Sequence, residues 1–168
     1  MREENAIANK TSFTPDEWKQ LLEGVMMAGI AVTAADPSGL WGTLKETFSS
    51  AQSMTSGKSG SSELIKALVA DLETSEGRGV AREGLKEQLQ GSKATDIRTK
   101  SVDALRQVAG LLETKAPQEA TAVKTWLMKI SQSAAEASKE GGFLGFGGVQ
   151  VSDAEKATLT DIKSALKI

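Results

Sequence analysis

The stretch TPDEWKQLLEGVMMAGIAVTAADPSG, residues 14–39, contains both ends of a helix and a run of core residues between them. Thr14 has an oxygen to cap the first turn, Pro15 suits the first helical position, and Glu17 completes a capping box. Trp18, Leu21, Leu22, Val25, Gly29 and Val32 follow at helical spacing. From Val25 onward the segment is apolar on nearly every side, which predicts a central helix rather than a surface one. Gly24 and Gly29 each cost about 1 kcal/mol of helix propensity relative to Ala, so both are expected where a neighbouring backbone comes close. Asp36-Pro37-Ser38-Gly39 closes this helix and opens a second, whose inner stripe is Trp41, Leu44, Phe48 and Ala51. The connection is short, which predicts an antiparallel hairpin buried in the core.

Beyond the hairpin, residues 49–62 read SSAQSMTSGKSGSS, with seven serines and two glycines, a linker composition. A mobile loop is expected at about residues 55–61. A third helix is expected from Glu63 to about Thr74, with Leu64, Ile65, Leu68, Val69 and Leu72 inside. Gly77-Arg78-Gly79 reads as an interruption before a shorter helix with Val80, Ala81, Leu85 and Leu89. Ser92 or Thr95 is expected to cap the next, with Ile97, Val102, Leu105, Val108, Ala109 and Leu112 inside. Pro117 starts a sixth, where Ala120, Val123, Leu127, Ile130, Ala134 and Ala137 step by three and four. Ser152 to Glu155 forms a second capping box, ahead of Leu159, Ile162 and Leu166. The expectation is an all-α fold, a single-domain bundle of about seven helices over residues 13–168, preceded by a flexible polar tail at 1–12.

The chain has 168 residues, with twenty Lys and Arg against twenty-two Asp and Glu, and no histidine, cysteine or tyrosine. A net charge of −2 provides no overall field toward nucleic acid, and no nucleic-acid partner is expected. Without imidazole, thiol or phenol there is no Ser-His or Cys-His pair and no thiolate or imidazole zinc site. No secretory signal is expected in Met1-Arg2-Glu3-Glu4-Asn5, which lacks an apolar core. The apolar run Val25–Ala35 is well short of the roughly 20 residues that span a bilayer. These features predict a soluble, cytoplasmic protein without a membrane span.

Two segments are candidate sites. Glu140 to Val151, EGGFLGFGGVQV, sets Phe143, Leu144 and Phe146 among five glycines. Glycines let a backbone approach another surface and the rings bring apolar area, so these three residues are a candidate partner-binding loop. Exposed phenylalanines are costly without a partner, which favours the other reading, a plug in the open end of the bundle. Arg78, Arg82 and Lys86 recur every four residues on one helix face, a candidate anion patch, although Glu83 and Glu87 are interleaved with them. Gly57-Lys58-Ser59 lacks the earlier glycine and preceding strand of a phosphate loop. Asp71, Glu73 and Glu76 lack the spacing of a calcium loop and read as a solvated helix end. No catalytic residues, cofactor or metal are expected. The composition points to a non-enzymatic helical module for protein–protein interaction or self-association. One alternative is an apolar ligand held between the helices that open at Pro15, Pro37 and Pro117. A carboxylate-dependent enzyme is the other.

Overall fold

The computed structural model describes residues 7–34, 60, 62–140 and 151–168. A short 3-10 turn at Lys10–Ser12 leads into α1 (Pro15–Thr33), followed by α2 (Glu63–Glu73), α3 (Ser75–Leu89), α4 (Ala94–Lys115), α5 (Pro117–Glu140) and α6 (Asp153–Leu166). Among the described residues there is no strand, so the all-α class holds with six α-helices against the seven expected. The expected helix carrying Trp41, Leu44, Phe48 and Ala51 lies outside the described residues, as does most of the Ser/Gly loop at 55–61.

The capping signals hold. Thr14 and Glu17 exchange bonds across the first turn of α1, with Thr14 N–H donating to Glu17 Oε2 at 2.8 Å. Ser152 and Glu155 do the same for α6. Helix α1 is the hub of the bundle and packs against each of the other five. Between Leu21 and Val32 only Met26 is not buried. This is what a helix without a polar face requires, because any side left open would expose apolar area to water. The inward residues expected of α2 and α4 are buried. Two apolar clusters result. The larger joins α1 to α2, α4, α5 and α6, and the smaller gathers Met27, Ile30, Leu85 and Ile97 beneath α3.

Several local expectations change. Gly77-Arg78-Gly79 does not interrupt the chain, because the break falls earlier, at Thr74. Thr74 Oγ1 accepts from Gly77 N–H at 2.9 Å and caps α3. Gly77 is instead a packing residue, since a Cβ there would run into the Asp71 carbonyl. Neither Ser92 nor Thr95 caps α4. Its cap is Lys93, whose N–H donates to Asp96 Oδ2 at 3.4 Å, the side chain three residues on closing the turn. Gly24 does sit at a close crossing, where a Cβ would stand 2.7 Å from Val108 Cγ2 of α4. Gly29 is buried, but no described atom lies within 4 Å of where its Cβ would be. The close approach of α1 to its neighbours is therefore made at Gly24, and not at Gly29 by any described helix.

Residues 7–12, within the segment expected as a polar tail, carry a capped turn. Asn9 Oδ1 accepts from Thr11 N–H at 2.9 Å, and Ala8 and Phe13 are buried. Apolar contacts on either side of the turn hold it to the bundle.

Candidate functional site

The three cations of the candidate anion patch are placed differently by α3. Its buried side is Gly77, Ala81, Gly84 and Leu85, so Arg82 and Lys86 stand on the outward side. Arg78 turns back instead. Its guanidinium donates to the carbonyls of Glu73 at 2.6 Å and Leu72 at 3.4 Å, which α2 leaves without an intrahelical partner. A cation at a helix C-terminus also meets the negative end of the helix dipole. Arg82 and Lys86 share a shallow depression of about 450 Å³ with Gly79, Glu83, Glu87 and Gln90. Glu87 is paired with Lys19 of α1 at 3.0 Å. The outward face of α3 is thus of mixed charge, with two lysine or arginine heads beside two carboxylates.

Further basic residues lie along α4. Arg98 pairs with Asp161 of α6 at 2.6 Å, and Arg106 pairs with Asp103 one turn away. Lys100 donates to the Gln88 carbonyl at 2.9 Å and to Ser92 Oγ at 2.8 Å, tying α4 to the end of α3. The candidate loop residues Phe143, Leu144 and Phe146 lie outside the described residues.

Three polar clusters were not apparent from the sequence. At the amino-terminal end, Trp18 Nε1–H donates to Asp71 Oδ2 at 2.6 Å and Lys10 Nζ donates to the same oxygen at 2.9 Å. The Phe13 ring packs on Trp18 with centroids 5.9 Å apart. Burial works to raise the Asp71 pKa, but the indole and ammonium donors together hold it below the usual range. Asp71 is therefore not part of a solvated helix end. It anchors α2 to α1 and lines an open groove of about 440 Å³ with Phe13, Leu22, Gly77 and Val80.

The second cluster centres on Glu23, only 5% exposed in the middle of α1. Gln88 Nε2 donates to Glu23 Oε2, and Lys19 Nζ is 3.9 Å from Oε1. Opposite lies Gly84 of α3, where a Cβ would occupy the position of the carboxylate itself. Burial pushes the Glu23 pKa up, against the pull of Lys19 and Gln88.

In the third, Glu113 of α4 bridges two lysines. Lys124 of α5 donates at 2.5 Å and Lys167, in the left-handed cap of α6, at 2.7 Å. These two donors hold the Glu113 pKa down to about 2. At the edge of the bundle, Glu17 is likewise held low, first by the Thr14 N–H that its carboxylate caps.

The only signals for these clusters were an acid between Leu22 and Gly24, and acids and lysines without a helical partner nearby. Trp126 is as buried as Trp18, but its indole N–H has no hydrogen-bond partner among the described residues. Among the described residues no group of three or more acidic side chains is placed to hold a metal ion, and no helix is long and apolar enough to cross a membrane. No protein-family model, curated protein or solved structure matches the chain.

Proposed function

We propose that this chain is a non-enzymatic helical module of the cytoplasm that acts by binding a protein partner or a second copy of itself. The observation that carries this reading is the use made of its shifted carboxylates. A catalytic acid or base needs a perturbed group facing a cleft where a substrate can reach it. Here Glu17 caps a helix, Glu23 sits between α1 and α3, Asp71 anchors an indole, and Glu113 clasps two lysines. Each is engaged in holding helices together, and in Asp71, which also lines the open groove, Oδ2 is taken by the Trp18 indole and the Lys10 ammonium. The sequence adds that imidazole, thiol and phenol are absent, which removes the commonest proton-transfer and nucleophilic groups.

Two surfaces are the candidates for docking. One is the glycine-rich segment with Phe143, Leu144 and Phe146, and the other is the outward face of α3 with Arg82 and Lys86. Native mass spectrometry of the purified chain over a range of concentrations tests the reading. The expected result is a concentration-dependent oligomer that is lost in a Phe143→Ala, Phe146→Ala double variant while thermal stability hardly changes. If that oligomer persists in the double variant but is lost in an Arg82→Glu, Lys86→Glu variant, the face of α3 is the docking surface. A monomer at every concentration that carries a small apolar molecule would overturn the reading in favour of a ligand binder.

A further inference from the structure

We propose that Glu23 is a pH-sensitive latch between α1 and α3, clamping α3 onto the bundle as a neutral carboxyl and loosening it as a carboxylate. The site has the geometry of a latch. Glu23 is 5% exposed, and its carboxyl group lies on the backbone of α3 at Gly84, the one residue type that leaves room for it. Its hydrogen-bond partner, Gln88, lies on the helix that would move. An amide can serve both forms of the acid. It donates to an oxygen in either state, and its carbonyl can accept the O–H that exists only in the neutral form.

The ionised form is poorly compensated. Burying a carboxylate is costly unless it is paired, and Gln88 is a neutral donor. The charged groups around Glu23 come from three helices. Lys19 of α1 is 3.9 Å away, but its ammonium is bound more closely to Glu87 at 3.0 Å. Glu83 and Glu87 of α3 place negative charge on the same side and compete for Lys19. Lys100 of α4 is bound to the Gln88 carbonyl at 2.9 Å, not to the carboxyl. Burial therefore dominates, and the carboxyl titrates above its usual value of 4.5.

The sign follows from linkage. A carboxyl whose folded-state pKa is raised stabilises the folded contact fully below the ordinary value, and that contribution is lost as pH rises through the raised one. The clamp on α3 is strongest in mild acid and weakens toward neutral pH. Beneath α3 lie Met27, Ile30 and Ile97, which Leu85 covers, so loosening the helix uncovers an apolar surface. The latch does not depend on the binding reading above.

Native-state hydrogen exchange between about pH 4 and pH 8 tests it, read as protection factors corrected for intrinsic exchange at each pH. In the unmodified chain, protection of α3 amides relative to α5 amides should fall with rising pH, by up to about tenfold per pH unit within the titration. In Glu23→Gln the ratio should be flat. The same slope in both proteins, or protection that rises with pH in the unmodified chain, would overturn the proposal. A second variant, Glu87→Gln, keeps Glu23 and removes the acid competing for Lys19. It should move the α3 midpoint to lower pH, and an unmoved midpoint would also overturn the latch.

Discussion

Glu23 and Glu113 are the same side chain, each reaching from one helix to another, yet their pKa values shift in opposite directions. Glu23 of α1 is buried and is met by a neutral amide, with its nearest ammonium shared with another acid. Glu113 of α4 is partly exposed and receives two lysines, one of them buried. Burial without a dedicated countercharge penalises the charged form, and two direct ammonium donors favour it. The first contact is thus strongest in acid. The second is present above the usual 4.5 and is lost as pH falls through about 2. Across this bundle the supply of donors, more than the residue type, decides what an interhelical acid contributes. The same contrast divides the molecule into a side that tightens on protonation, at α3, and a side that tightens on ionisation, where α4, α5 and α6 meet.

The largest expected effect comes from closing the space that Glu23 uses. Gly84→Ala puts a methyl group where the carboxylate lies, and since the atoms in its way are the free ends of the Glu23 and Lys19 side chains, those side chains move rather than the two helices. It should also drive the Glu23 carboxyl outward and return its pKa toward the usual value. If the Glu23 carboxyl still titrates above its usual value in this variant, followed by carbon-detected NMR, the opposition with Glu113 fails on that side. Next come two isosteric substitutions with opposite signs. At pH 7, Glu23→Gln should keep or raise the melting temperature, because it removes a buried charge and retains a partner for Gln88. Glu113→Gln should lower it, because the buried Lys124 loses its countercharge. Toward pH 2 the Glu113→Gln difference should shrink, since about half of the clasp is then protonated in the unmodified protein as well. The smallest effect is expected at Arg98→Ala. The Arg98–Asp161 pair joins α4 to α6 as the Glu113 clasp does, but both partners are solvent-accessible, and such pairs contribute about 0–1 kcal/mol. A larger loss there would mean that exposure does not separate the two kinds of pair.

Residues that act locally were readable in the sequence. The caps at Thr14–Glu17 and Ser152–Glu155 hold because donor and acceptor are three residues apart and the helix itself brings them together. The apolar stripes of α2 and α4 repeat with the helical period and so announce their inner faces, while on α5 Ile130 is only half-buried and the Ala137 side chain lies outside the description. The three polar clusters could not be read in this way. Glu23 meets Gln88 across 65 residues and Trp18 meets Asp71 across 53, and no helical period links such positions. Glycine was ambiguous for a related reason. Gly77 suggests a chain break, but a neighbouring helix makes it a packing position, and only the assembled bundle supplies that neighbour. Of the candidate anion patch, Arg82 and Lys86 stand outward as their spacing suggested. Arg78 was taken up by open carbonyls at the end of α2, one turn before it in the chain.

A titration of both side-chain carboxyls by carbon-detected NMR in a single sample tests the opposition between Glu23 and Glu113 most directly. Glu23 should titrate above 4.5 and Glu113 near 2, with α3 backbone resonances that shift with Glu23 and not with Glu113. Coincident midpoints near the usual glutamate value, or Glu113 titrating above Glu23, would contradict the account.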